Sequence, residues 1–332
     1  MTLERSVESL TRIAKAMEDL ADRVTIIEYP EEKRSVDMVI EYGGVHTNCK
    51  VIVKVSDIVS NRKRDFVELK KITELLNINA LVIAKFYNRE KLLDNVLYVR
   101  GRIGLVDPET IESIRRREGV YIYEYQGSYY VKVKGEVLRE LRSRRRLGYS
   151  MLAKMVGITA KALYEYEQGR MGMSAEVAER FLEIFGKDFE NALEQIDIFT
   201  FRIVSNLKRG DVTDEVGGGD DHVFSKKGAL IAKLRKRGVL SIESFKHIPS
   251  DMVVKSDSLK AFIALAGEET DLNEAEKKCR ENAKLAHELD GKAITILSAR
   301  NRDLEYVAEK YSDIVSRKLD DIIDVVHRES RQ

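Results

Sequence analysis

Residues 135–186 read GEVLRELRSRRRLGYSMLAKMVGITAKALYEYEQGRMGMSAEVAERFLEIFG, and their spacing decides how the chain is parsed. Leu138, Leu141 and Arg142 give a first helix with an apolar side. Gly148 opens a second helix, in which Leu152, Ala153 and Val156 face inward. Gly157 ends it, since glycine adopts the left-handed geometry of a tight turn without steric cost. Ile158 plugs the turn into the core, and Thr159 offers a side-chain oxygen to cap a third helix. In that helix Leu163 and Tyr166 or Glu167 point back, while Ala160, Lys161, Tyr164 and Glu165 point away. Gly169 stops it, and Ser174 caps a fourth helix carrying Val177, Phe181, Leu182 and Phe185.

Two short helices joined by a tight turn make a helix-turn-helix. The major groove of duplex DNA admits one helix, and the second helix of such a motif is the one that enters it. Ala160, Lys161, Tyr164 and Glu165 then face base edges. Cations for phosphates stand around them: Arg142, Arg144, Arg145 and Arg146 before the motif, Lys154 within it and Arg170 after it. From Lys132 to Gly172 there are ten Lys or Arg against four Glu, a charge of +6 in a chain whose total is +1. Positive charge is thus concentrated at the motif, as backbone binding requires.

The residues Leu152-Ala153, Gly157-Ile158-Thr159, Leu163 and Tyr166-Glu167-Gln168-Gly169-Arg170 are in step with the Cro/lambda-repressor type of helix-turn-helix, which this stretch resembles. The resemblance implies double-stranded DNA as the partner. One departure falls at Tyr149, where the family often carries a Gln that grips the backbone. A bland alternative is a four-helix module used only for docking or dimerisation.

At 332 residues the chain has room for two or three domains. With 43% hydrophobic and 34% charged residues, three Pro and no Trp, it reads as soluble and globular. Abundant Lys, Arg, Glu, Ile and Val with very few Gln fit a protein from a hot environment. Cys49 and Cys279 lie far apart and predict a reducing, cytoplasmic interior without a disulfide framework. No apolar run approaches the ~18 residues of a membrane span, and MTLERSVESL lacks a signal-peptide core. No membrane association is expected.

Residues 1–132 open with Leu3, Val7, Leu10, Ala14, Met17 and Ala21 at helical spacing. Strand-like runs follow at Val24–Ile27, Met38–Ile40 and Val51–Val55, with a turn at Gly43-Gly44. A helix holding Phe66, Leu69, Thr73 and Leu76 leads to a buried strand at Ala80–Ala84. Asp107-Pro108 starts a short helix, and Tyr121 to Val133 reads as a hairpin around Gln126-Gly127. Helix, three strands, helix, strand is the core order of restriction-endonuclease-like folds, which this flank resembles. That resemblance implies an acid at the start of the second strand and an acid-x-Lys triplet on the third, holding a divalent metal. Asp37 and Lys54 match, but Ile52 replaces the second acid, and one carboxylate is a poor site for a hard cation. Glu68 or Asp65 on the next helix are substitutes. The preferred reading leaves Asp37 as a strand-start polar residue and Lys54 as an exposed strand residue, with no metal or other cofactor.

Phe189 to Phe199 is read as one more helix, and the domain is bounded at 133–200. Residues 201–225, with Gly217-Gly218-Gly219-Asp220-Asp221, are read as a flexible linker. Over 226–332 the first flank's order returns. A helix at Ala229–Arg235, strands at Val239–Phe245, Met252–Val254 and Ala261–Leu265, a helix through Leu272, Ala275, Cys279, Ala283, Ala286 and Leu289, and a strand at Ala293–Leu297 are expected. A helix over Asp313–Val326 closes the chain. Here Ile263-Ala264-Leu265 keeps neither the second acid nor the Lys. Cys279 is read as core and His287 as boundary.

The expected fold class is therefore two α/β flanking domains, restriction-endonuclease-like and duplicated, around a central all-α helix-turn-helix bundle. The whole layout resembles a group of archaeal helix-turn-helix transcriptional regulators. That implies a sequence-specific DNA-binding regulator, a homodimer, without enzyme activity. The competing readings are a structured-RNA or ribosome-associated binder, in which Tyr149 or Tyr164 stacks on an unpaired base, and a metal-dependent nuclease.

Overall fold

The computed structural model describes residues 2–43, 48–201, 241–256, 259–267, 271–297 and 301–317. The turn at Gly43-Gly44 lies partly outside them; the helix at 229–235, the linker beyond Phe201 and everything after 317 lie wholly outside. Contacts divide the chain into two interleaved units. One is drawn from Met1–Leu20, Val55–Val59 and Leu81–Asn206, the other from Ala21–Lys54, Ser60–Ala80 and Leu207–Gln332.

The chain opens with α1 (Thr2–Glu18), whose Ile13, Ala14, Ala16 and Met17 are buried. β1 (Arg23–Ile26), β2 (Met38–Gly43) and β3 (Asn48–Val59) pair antiparallel, and α2 (Arg64–Leu76) buries Phe66, Leu69, Thr73 and Leu76 as the spacing predicts. β4 (Asn79–Tyr87) is buried over Ala80–Ala84. β5 (Glu90–Lys91), β6 (Val96–Arg100) and β7 (Ile103–Val106) come next, in a stretch for which the sequence predicts no element. α3 (Pro108–Arg115) starts as expected, with the Asp107 carboxylate accepting from Glu109 N at 2.8 Å. β8 (Ile122–Tyr125) and β9 (Ser128–Val133) form the expected hairpin, both turn residues, Gln126 and Gly127, being left-handed.

The helical segment comprises α4 (Gly135–Arg144), α5 (Tyr149–Met155), α6 (Ala160–Glu167), α7 (Ala175–Phe185) and α8 (Lys187–Glu190). It is not an all-α bundle. β10 (Met173–Ser174) and β11 (Leu193–Glu194) both pair with β9, and Val131 and Val133 of β9 sit in the same core as Leu138, Leu152, Leu163, Phe181 and Phe189. Fully burying each such side chain contributes roughly 1.5–3 kcal/mol. The helix expected over Phe189–Phe199 is corrected to α8 followed by extended chain. β9 needs a partner for its backbone, and Leu193 supplies one opposite Val133, while Ile196 N donates to Val120 O at 2.7 Å.

In the other unit β12 (Ser241–Ser244), β13 (Met252–Lys255), β14 (Lys260–Ala266), β15 (Lys292–Leu297) and β16 (Ile314–Ser316) form a five-stranded sheet in that order. Among the described residues, α9 (Leu272–Glu288) and α10 (Arg302–Tyr311) accompany it. α10 was missed, and the helix expected from Asp313 is instead β16 over its described start, pairing parallel with β15. Cys279 is core, as read, whereas Leu272 is exposed.

The two α/β segments of this unit repeat one another bond for bond. Ile27 N donates to Asp37 O and Asp37 N to Val53 O, at 2.9 and 3.0 Å; Phe245 N donates to Asp251 O and Asp251 N to Ile263 O, at 2.9 and 2.8 Å. Met38 lies opposite Val53, and Met252 opposite Ile263. The residues equivalent to Ile52-Val53-Lys54 are therefore Phe262-Ile263-Ala264, one residue earlier than the sequence reading placed them. The segments also grip each other reciprocally. Glu68 of α2 accepts from Lys246 N and His247 N at 2.9 and 2.8 Å, and Glu281 of α9 accepts from Glu28 N at 2.8 Å. Each carboxylate meets the backbone just beyond the other segment's first strand.

Candidate nucleic-acid interface

The α5–α6 turn is built as its residues dictate. Gly157 is left-handed at φ +68, Ile158 N returns to Ala153 O at 2.9 Å, and Arg180 of α7 donates to Val156 O at 2.9 Å. The Thr159 hydroxyl caps α6 by accepting from Ala162 N at 3.0 Å, and Ser174 caps α7. Leu163, Tyr166 and Glu167 are the inward face of α6.

Glu167 is what fixes α6 on its neighbours. Its side chain is 0% exposed and takes a two-pronged bond from Arg142 of α4, Nε to Oε1 at 2.6 Å and Nη2 to Oε2 at 3.0 Å. Tyr149 of α5 donates its hydroxyl to Oε2 at 2.6 Å, and the Arg142 guanidinium lies 4.0 Å from the Tyr149 ring centre. Burial pushes the Glu167 carboxyl up, but the bonds from Arg142 and Tyr149 and the charges of Arg142 and Arg139 outweigh it and hold the carboxyl below its ordinary range. α4 approaches α6 closely here: a Cβ on Gly135 would lie 2.1 Å from Glu167 O, so only glycine fits.

This arrangement corrects one expectation and narrows another. Arg142, expected among the phosphate cations, is half-buried and committed to Glu167. Tyr149, a candidate contact, is half-buried with its hydroxyl already used. On the outer face of α6, Lys161 is exposed and Tyr164 is 42% exposed, with Ala160 and Glu165 partly covered. Glu165 lies 3.9 Å from Arg170, which is itself exposed. Lys154 is exposed on α5. Arg144, Arg145 and Arg146 are exposed at the end of α4; Arg144 pairs with Glu140 at 3.2 Å, and Arg145 lies 5.3 Å over the Phe185 ring. Exposed pairs of this kind are worth ~0–1 kcal/mol and yield readily to a phosphate. The roles of Gly135, Glu167 and Arg180 were missed; the sequence offers no local sign of them.

The nuclease-like positions hold a different chemistry. Asp37 is buried and meets Arg34 at 3.1 Å. Lys54 is 4% exposed, not the exposed strand residue expected: its ammonium donates to Arg34 O and pairs with Asp65 at 3.1 Å. Glu68 is spent on the backbone of residues 246–247. In the second segment Asp251 pairs with Lys278 at 2.5 Å. Cations of the chain thus stand beside both strand-start acids, and Ile52 and Phe262 carry no oxygen, so the donor set does not fit a hard divalent metal. Among the described residues no three His, Cys, Asp or Glu side chains are grouped to hold a metal ion, and no helix is long and apolar enough to cross a membrane.

Residues 135–192 match the family model of a helix-turn-helix domain, and residues 7–120 that of a PD-(D/E)XK superfamily domain, whose name spells the acid and acid-x-Lys pattern tested above. The chain is 34% identical over 194 residues to a protein of Aeropyrum pernix provisionally named HTH-type transcriptional regulatory protein, covering 58% of this chain and 57% of that one. It is 27% identical to similarly named proteins of Saccharolobus islandicus, over 319 residues, and Saccharolobus solfataricus, over 320, covering 94% of this chain and 96% of each relative. The match thus spans little more than half the length of the Aeropyrum relative. No solved structure matches the chain.

Proposed function

We propose that the chain is a DNA-binding transcriptional regulator that reads duplex sequence with the outer face of α6. One observation carries this reading: Lys161 and Tyr164 stand exposed on a short helix whose inner face is pinned by Leu163 and the Arg142–Glu167 pair, with Arg144, Arg145, Arg146, Lys154 and Arg170 exposed on the adjoining segments. The names of the archaeal relatives point the same way. In this reading Lys161 donates to guanine O6 or N7, Glu165 accepts from cytosine N4, Tyr164 and Ala160 pack on base edges, and Arg144, Arg145, Arg146, Lys154 and Arg170 take phosphates. Residues 133–200 act as the DNA-binding domain, with 1–132 and 226–332 as degenerate nuclease-like flanks. Each chain offers one such motif, and pairing two chains sets two recognition helices about one DNA turn apart, roughly 34 Å.

Competition at fixed salt between random duplex DNA and structured RNA tests the partner class. Duplex is expected to displace RNA; preferential retention of RNA would overturn the assignment. Enzymatic cutting is tested separately. Supercoiled plasmid incubated with the chain and magnesium or manganese is expected to stay intact, because Asp37 is paired with Arg34, Asp65 with Lys54, and Ile52 supplies no second carboxylate. Cleavage abolished by Asp37→Ala would contradict this.

A further inference from the structure

The paired register of the two α/β segments makes Lys50 and Lys260 equivalent: Lys50 lies opposite Glu41 on β2, and Lys260 opposite Lys255 on β13. The first segment therefore sets an acid across from its lysine, and the second sets another lysine there. Like charges directly opposite are unfavourable. Both lysines line one cavity of about 260 Å³, together with Glu41, Cys49, Ile78, Leu289 and Asp290.

The acids of that cavity are already engaged. Glu41 accepts from Arg23 at 2.8 Å, and Asp290 pairs with Lys50 at 2.5 Å. The Lys260 ammonium donates to an uncharged acceptor, Leu289 O, at 2.9 Å. Burial pushes its amine down; Asp290 opposes this, and Lys255 and Lys50 add to it. The lining holds two lysines and two carboxylates, but each carboxylate is taken by another cation, and the part-buried Lys260 ammonium has no ion pair of its own among the described residues. At about 260 Å³ the cavity is smaller than the roughly 300–1,000 Å³ of drug-sized sites, a size that suits a compact ligand.

We propose that this cavity binds a small oxyanion, a phosphate or carboxylate on a compact body, held between Lys50 and Lys260. The site is separate from the α6 face and does not depend on the function proposed for it. Calorimetric titration of the full chain with sodium phosphate, and in a parallel arm with sodium succinate, at ionic strength fixed with sodium chloride, tests it. At least one probe is expected to bind with a Kd of 1 mM or tighter, and Lys260→Gln to weaken it tenfold or more. Lys255→Glu, which sets opposite Lys260 the acid that Glu41 sets opposite Lys50, is expected to do the same by giving the Lys260 ammonium a carboxylate of its own; it decides the matter if Lys260→Gln does not fold. Binding of neither probe, or undiminished binding by the folded variants, would overturn the proposal.

Discussion

Replacing Glu167 by Gln is expected to destabilise the α4–α6 segment by about 1–3 kcal/mol, because it leaves the part-buried Arg142 guanidinium without its counter-charge. The loss concentrates where the contacts are. Amides of α4, α5 and α6 should lose protection from hydrogen exchange, while those of β13–β15, in the other unit, keep theirs. Removing both charges together, Arg142→Met with Glu167→Met, should cost far less, since neither charge is then left uncompensated. The same pair sets an acid limit. The Glu167 carboxyl titrates lower in the fold than in the unfolded chain. Its contribution is therefore complete above the unfolded carboxylate range and is lost as pH falls through the folded value. The segment should loosen in acid before the Gln variant shows any further change. Unaltered protection in Glu167→Gln would show that α6 is held by apolar packing alone.

Replacing Arg144, Arg145 and Arg146 together by Ala is expected to weaken every duplex alike. If each takes one phosphate, the slope of log affinity against log salt falls by about 2.7, and affinity at 0.1 M salt drops roughly a hundred-fold or more. The engagement of Arg144 with Glu140 and of Arg145 with the Phe185 ring predicts that Arg146 carries the cleanest single effect. Arg142→Ala behaves differently: it removes no phosphate contact and reports as a stability defect. A salt slope unchanged in the triple variant would move the backbone contacts elsewhere.

The turn at the centre of this account was legible because three local signals agree there. Apolar residues at Leu152, Ala153, Val156 and Leu163, a glycine at 157 and a capping Thr159 each specify the same geometry. Arg142 was not legible, because an arginine beside Arg144–Arg146 reads as one more solvated cation. Its partner lies 25 residues away, and nothing local announces it. Lys54 misled for the same reason, being buried by Asp65 of the following helix. Residues 189–199 carry apolar side chains at spacings a helix would tolerate, and the demand of β9 for a paired edge overrode them. The helix α10 carries a local signal of its own, Asn301 as cap with Leu304, Val307 and Ala308 inward. Of the candidate contacts on α6, the exposed Lys161 and Tyr164 followed from which face was apolar; the loss of Arg142, and of the Tyr149 hydroxyl, followed only from the packing.

Selection of genomic DNA fragments by the full chain, repeated with Lys161→Ala/Tyr164→Ala, bears most directly on the central claim. The chain is expected to enrich a consensus whose half-sites lie about 34 Å or a multiple apart. The double variant should still retain DNA but return fragments without a consensus, since base contacts specify where phosphate contacts only position. The same consensus recovered with both variant and parent would contradict the claim that α6 reads the sequence.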